Sequence, residues 1–152
     1  ESRKLTPNDI VLEVTESLAL RDVDHAMARL CDLQRQGFRV AIDDFGTGHS
    51  SLAQLHEINA DKLKIDKKFI AKVLEEKGYT MVSAISNMAK ALDLKTIAEG
   101  VETGEQASIL SRMGVSYLQG YWFVKPMPAE ACYVWIQDFN HHILANKCVS
   151  SQ

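Results

Sequence analysis

The sequence has 152 residues, 46% of them hydrophobic and 24% charged, which suits one globular core of ordinary size and excludes a disordered or fibrous chain. A formal net charge of −3 excludes the broad basic face that holds a nucleic acid polymer by counterion release. No apolar run approaches the ~18 residues of a membrane span and no signal peptide opens the chain, so no membrane contact and a cytoplasmic location are expected for this segment.

Residues 10–17 read as a short β-branched strand after the turn Thr6-Pro7-Asn8-Asp9, with Glu13 near its tip. From 22 to 36, Val23, Ala26, Met27, Leu30 and Leu33 recur at helical spacing and Gly37 closes the run, which predicts a helix of about four turns. A second strand over 38–42 ends on the adjacent acids Asp43 and Asp44, and Ser50 or Ser51 can cap a short helix to about residue 57. The third strand, 63–66, puts Leu63 and Ile65 on one face and Lys64 and Asp66 on the other. A short helix over 69–76 follows, then an amphipathic one carried by Met81, Val82, Ile85, Met88, Ala89 and Leu92, with both methionines expected in the core. Strand four, 95–100, bears Glu99 at its far end, and a helix over 105–113 stopped by Gly114 leads to a fifth strand, 116–120, with Gln119 at its tip. Beyond Lys125-Pro126-Met127-Pro128 a last helix is expected from 130 to about 139, then a tail from about 140.

Strands alternate with helices throughout, which predicts a parallel sheet with right-handed crossovers, as a single α/β domain over 1–152. A doubly wound sheet and a (β/α) barrel both fit that order. The barrel is favoured, because acids or polar groups stand at the C-terminal end of every strand, the face where barrels place their chemistry, whereas an open sheet concentrates its site at one switch point.

Collected, the strand ends carry Glu13, Asp43, Asp44, Asp66, Glu99 and Gln119, with Lys64 among them and Glu16 and Glu102 a little further on. Like charges gathered on one rim repel unless a cation stands between them, and oxygen-only donors suit Mg²⁺, Mn²⁺ or Ca²⁺ over zinc. Two cations bridged by Asp43 would match two-metal phosphodiester hydrolysis. Each acid alone also reads as a helix cap or a solvated loop residue. Lys64 alone reads equally as an ion-pair partner or as the Schiff-base lysine of an aldolase-type lyase, although acids around it would keep it protonated. Gly46 and Gly48 read as a turn rather than a phosphate cradle. Cys31, Cys132 and Cys148 show no ligand or disulfide spacing, and His25, His49, His56, His141 and His142 share no spacing either.

The motifs Leu12-Glu13-Val14-Thr15-Glu16-Ser17, Ile42-Asp43-Asp44-Phe45-Gly46-Thr47-Gly48, Leu63-Lys64-Ile65-Asp66, Ala98-Glu99-Gly100-Val101-Glu102 and Leu118-Gln119-Gly120-Tyr121 with Lys125-Pro126 resemble the EAL-domain cyclic di-GMP phosphodiesterases. That resemblance implies a modified (β/α)8 barrel that opens one phosphodiester bond of cyclic di-GMP to the linear dinucleotide with Mg²⁺ or Mn²⁺, two ions in the intact domain. It implies that Glu13, Asp43 and Asp44 are metal ligands, with Asp43 between the two ions. It further implies that Lys64 touches the nucleophilic water, that Glu99 is a metal ligand or the general base, and that Asp66 and Gln119 either ligate the metal or lie just behind its ligands. Glu16 would hold the loop after Asp44, which in the family joins metal binding to dimer contacts. His49 stands where that loop usually carries an aromatic residue.

The Glu-Ala-Leu tripeptide and an asparagine ligand of the family do not occur at matching positions in this sequence. A barrel of this kind runs to about 250 residues, so the chain is expected to represent the C-terminal part of such a domain, with roughly five of eight strands. The expectation is a partial barrel whose open edges are covered by a homodimer or swapped oligomer, weakly active or inactive by itself, with sensory or cyclase domains upstream in the parent chain. The competing reading is a degenerate domain that binds cyclic di-GMP or a protein partner without hydrolysis.

Overall fold

A computed structural model describes residues 4–15, 23–46 and 59–149, with side chains described over 4–15, 28–46 and 59–139. Glu16, His49, the Gly48 turn position and the expected helix near 51–57 lie outside the described residues. In chain order the elements are β1 (Val11–Thr15), α1 (Val23–Arg35), β2 (Arg39–Phe45), β3 (Lys62–Ile65), α2 (Lys67–Ile70), α3 (Glu76–Ala91), β4 (Lys95–Ala98), α4 (Gly104–Arg112), β5 (Tyr117–Leu118) and α5 (Ala129–Val149). A 3-10 turn, Pro7–Asp9, precedes β1, and Thr6 and Asp9 close it by a reciprocal capping box.

The strands form one sheet in the order β1-β2-β3-β4-β5, and every neighbouring pair is parallel. Each strand adds beside its predecessor, so the crossovers all advance in one direction, as in a barrel wall, and never reverse as a doubly wound sheet must. The sheet does not close on itself among the described residues; it is a partial barrel of five strands.

Alternation along the strands decides what faces what. Leu63 and Ile65 of β3, Val40 and Ile42 of β2 and Ala98 of β4 are buried with Ile70, Val73, Val82, Ile85, Ala89, Val101 and Leu110 in one core between sheet and helices. Each aliphatic side chain in that layer stabilises by about 1.5–3 kcal/mol relative to exposure, enough to fix the register, because a one-residue slip would turn the whole set outward. The opposite face of the same strands is left for Lys64, Asp43 and Glu99.

Several elements differ from the sequence reading for identifiable reasons. The second strand runs through the acid pair instead of stopping at Ile42, with its register to β3 shifting between Ile42 and Phe45 and with Asp44 at φ 55°. Helix α2 starts earlier than the apolar positions suggested because Asp66 Oδ1 accepts the Lys68 N–H at 2.7 Å and caps it. Helix α3 starts at Glu76 rather than near Met81, since Gly78 lets its first turn lie on the Lys72 carbonyl, where a Cβ would come within 1.8 Å. Helix α5 continues to Val149 rather than ending near 139, with no Gly or Pro in its length to stop it. Met81 is 48% exposed and not a core residue; the buried stripe of α3 is Val82, Ile85, Ser86 and Ala89, while Met88 beside it is half-buried against the core.

Strand β5 has two residues, and the chain around it is held by tight backbone contacts instead of a long ladder. Val101 N–H donates to the Gln119 carbonyl at 3.0 Å and Trp122 N–H to the Val101 carbonyl at 3.0 Å. A Cβ on Gly120 would lie 2.1 Å from the Val101 oxygen and 2.2 Å from its nitrogen. Gly120→Ala is therefore expected to cost about 1–3 kcal/mol by forcing backbone apart. A thermal melt reads this, and an unchanged midpoint would contradict the packing described.

Candidate functional site

Lys64 is the centre of the polar face. Its Nζ lies 2.9 Å from Glu13 of β1, 2.9 Å from Asp43 of β2 and 2.9 Å from Glu99 just after β4, so one ammonium of β3 joins acids from β1, β2 and the end of β4. The Lys64 side chain is 7% exposed while Glu13 is 51% exposed and Asp43 and Glu99 about a fifth. An ammonium this far from water is held by its partners. Burial works against its charged form, but the hydrogen bonds to Glu13, Glu99 and Asp43 outweigh burial and raise the Lys64 pKa above that of an ordinary lysine. An ammonium engaged by three carboxylates favours its charged form and is a poor nucleophile toward a carbonyl, which counts against the Schiff-base lyase.

Asp43 and Asp44 are adjacent on a strand, and regular pleating would send their carboxylates to opposite faces. The register shift after Ile42 and the left-handed backbone of Asp44 undo that alternation, as bulges beside functional sites commonly do. Asp43 Oδ1 accepts the Asp44 N–H at 3.0 Å, and oxygen atoms of Asp43, Asp44 and Glu99 come within 4.8 Å of one another. Gly46 closes the turn at φ 94° against the Phe69 ring, whose Cε2 lies 2.7 Å from where a Cβ would be. Loss of water raises the Asp44 pKa, the Asp43 charge and the facing Asp66 carboxyl raise it further, and Lys64 pulls the other way. Three oxygen donors with excess negative charge at that point fit a hard divalent cation.

Of the residues singled out from the sequence, the fold thus gathers Glu13, Asp43, Asp44, Lys64 and Glu99. Asp66 is buried behind them and caps α2. Gln119 stands at the same end of the sheet, its backbone bonded to Ala98 and Val101, with no side-chain bond to the acids among the described residues. The Glu102 carboxylate is exposed and outside the acid cluster, while its N–H donates to Gln106 Oε1 at 2.8 Å. Gln106 itself escaped the sequence reading, which took 105–113 only as a helix. The spacing Thr103-x-x-Gln106 is a capping-box signature that marks it.

The model of the EAL domain family matches residues 1–126. The chain is 46% identical over 127 residues to the bifunctional diguanylate cyclase/cyclic di-GMP phosphodiesterase MucR of Pseudomonas aeruginosa, covering 83% of this chain and 18% of MucR. The chain thus spans about a fifth of the length of that relative. Among solved structures, the cyclic di-GMP complex of the MucR phosphodiesterase superposes with a TM-score of 0.80 at 45% identity, covering 84% of this chain and 52% of that one. A manganese and cyclic di-GMP complex of BlrP1 from Klebsiella pneumoniae gives 0.75 at 32% identity, covering 80% and 31%. With matching motifs, parallel strand order and more than four-fifths of its length aligned, the chain belongs to the EAL domain family.

Proposed function

We propose that the protein containing this chain is a divalent-metal-dependent phosphodiesterase that hydrolyses cyclic di-GMP to the linear dinucleotide, and that this chain supplies one wall of its site. The observation that carries the reading is the Lys64 ammonium bound by Glu13, Asp43 and Glu99 with Asp44 joined to the same acids. A site of that kind has no use for the lysine as a nucleophile and an evident use for the carboxylates as ligands. MucR and BlrP1, with their cyclic di-GMP complexes, support the choice of substrate and metal class.

Asp43, Asp44, Glu99 and Glu13 would hold Mg²⁺ or Mn²⁺. Bound there, the cation supplies Lewis-acid polarisation of the phosphodiester and a more acidic water. Lys64 keeps three of the acids in place and stays cationic, so it orients and screens rather than takes a proton. Glu99, partly open to solvent and touching Lys64, is placed to hold an ion or to accept the proton as water adds to phosphorus and one ester P–O bond breaks. Gln119 and Glu102 border the same end of the sheet, and Glu16 would brace the loop behind Asp44.

The test is hydrolysis by the full protein, read as linear dinucleotide by chromatography. Product is expected with Mn²⁺ or Mg²⁺ and not after chelation; unchanged cyclic di-GMP in the presence of either ion, despite binding, would establish the receptor reading instead.

We also propose that the protein works as a cytoplasmic homodimer or swapped oligomer. Support comes from exposed Tyr117, Trp122 and Phe123 at and near β5, a cluster of large aromatic side chains that an assembly would cover. No helix among the described residues is long and apolar enough to cross a membrane. A monomer by analytical ultracentrifugation at working concentration would refute the oligomer.

A further inference from the structure

We propose that Gln106 is a positioning residue for the site, tying the loop that bears Glu99 to α2, the helix capped by Asp66; the inference rests on the metal-dependent reading above.

The loop after β4 carries Glu99 into the acid cluster and then turns at Gly100, whose φ of 70° is a left-handed conformation. The sheet holds its start, where Glu99 N–H donates to the Ile65 carbonyl at 3.2 Å and the Glu99 carboxylate meets Lys64, and Val101 donates to the Gln119 carbonyl and accepts from Trp122 N–H. Past Val101, the N–H groups of both Glu102 and Thr103 bond to the same side chain. Gln106, 7% exposed, accepts the Glu102 N–H at 2.8 Å and the Thr103 N–H at 3.1 Å on Oε1, and donates Nε2–H to the Ile70 carbonyl at 3.3 Å. Ile70 is the last residue of α2, and the other end of that single-turn helix is capped by Asp66. A closed circuit results, running from Asp66 through α2, the Gln106 amide and the loop to Glu99, then through Ile65 back to Asp66.

The plain alternative is a capping box, since Thr103 Oγ1 accepts the Gln106 N–H at 3.2 Å in return. Capping needs only an acceptor at this position, and a glutamate would serve. The donor half of the amide, aimed at a carbonyl on a different helix, has no part in it. Only a primary amide of this length both accepts two loop N–H groups and donates to Ile70; an ionised carboxylate lacks the hydrogen and asparagine lacks the reach. Gly100 agrees with this account, because a Cβ there would lie 2.7 Å from Lys67 Cβ, so loop and α2 are in direct contact behind the site.

Groups that orient metal ligands from behind typically change metal affinity by about 10–100-fold when removed. Gln106→Glu keeps the cap acceptor and loses the link to Ile70; Gln106→Leu loses both. Mn²⁺ affinity of the full protein by isothermal titration calorimetry, the melting midpoint without metal, and kcat and KM for cyclic di-GMP would be compared with those of Val82→Ala, a core truncation away from the acids. Both Gln106 variants are expected to bind Mn²⁺ at least about tenfold more weakly, with kcat reduced and KM nearly constant, while Val82→Ala lowers the midpoint and leaves Mn²⁺ affinity unchanged. Gln106 variants that melt earlier but bind Mn²⁺ as the unaltered protein does would overturn the positioning role and leave a structural cap. Failure of the unaltered protein to bind Mn²⁺ would overturn the site reading itself, and the positioning role with it.

Discussion

Replacing Lys64 with methionine should lower the stability of the metal-free protein by about 3 kcal/mol, the lower end of the cost of breaking a buried charge network, because Asp43 and Glu99 keep some access to water. Methionine fills much of the lysine stem, so the loss isolates charge from packing. Three carboxylates would face one another with no internal cation, and the midpoint should fall by roughly 6–12 °C. Mn²⁺ should then raise the midpoint more in the variant than in the unaltered protein, since the added cation replaces the missing one. Hydrolysis of cyclic di-GMP should fall at least about 100-fold, the usual cost of removing one fixed electrostatic group from a reacting centre. A variant that melts normally, or that gains nothing extra from Mn²⁺, would mean that the acids do not depend on Lys64.

Glu99→Gln should act in the opposite pattern, with a large loss of activity and little loss of fold. Amide and carboxylate have the same shape, Lys64 retains Glu13 and Asp43, and relieving one negative charge from the cluster offsets the lost ion pair. On the proposed reading, however, the carboxylate serves either as a ligand or as the proton acceptor. Activity should drop about 10²–10⁴-fold, with a midpoint within about 2 °C of the unaltered protein. Retained hydrolysis would remove Glu99 from the chemistry and shift the base to another group.

The end of β2 is built to bring like charges together despite their repulsion. The register shift and the left-handed Asp44 are local costs in a strand, and they place both acids on one side of the sheet. An ordinary strand end would have offered a single carboxylate there.

The alternation of Leu63, Lys64 and Ile65 in sequence already determined that Lys64 turns away from the hydrophobic layer, because a two-residue period leaves no other arrangement once Leu63 and Ile65 are buried. The strand ends and their acids were legible for the same reason, as were α1 and α4, where apolar spacing and the stops at Gly37 and Gly114 agree with the left-handed backbone found at both glycines. Short-range rules failed where a contact came from far along the chain. Met81 looked like core by its type and lies outside the buried stripe, and α3 begins early because Gly78 meets the carbonyl of Lys72. Nothing in the order of residues shows that Asp43 and Asp44 converge, that one ammonium serves acids from three other strand ends, or that Gln106 reaches Ile70. Those meetings depend on distances between segments separated by tens of residues, which only the packing of helices on a parallel sheet sets.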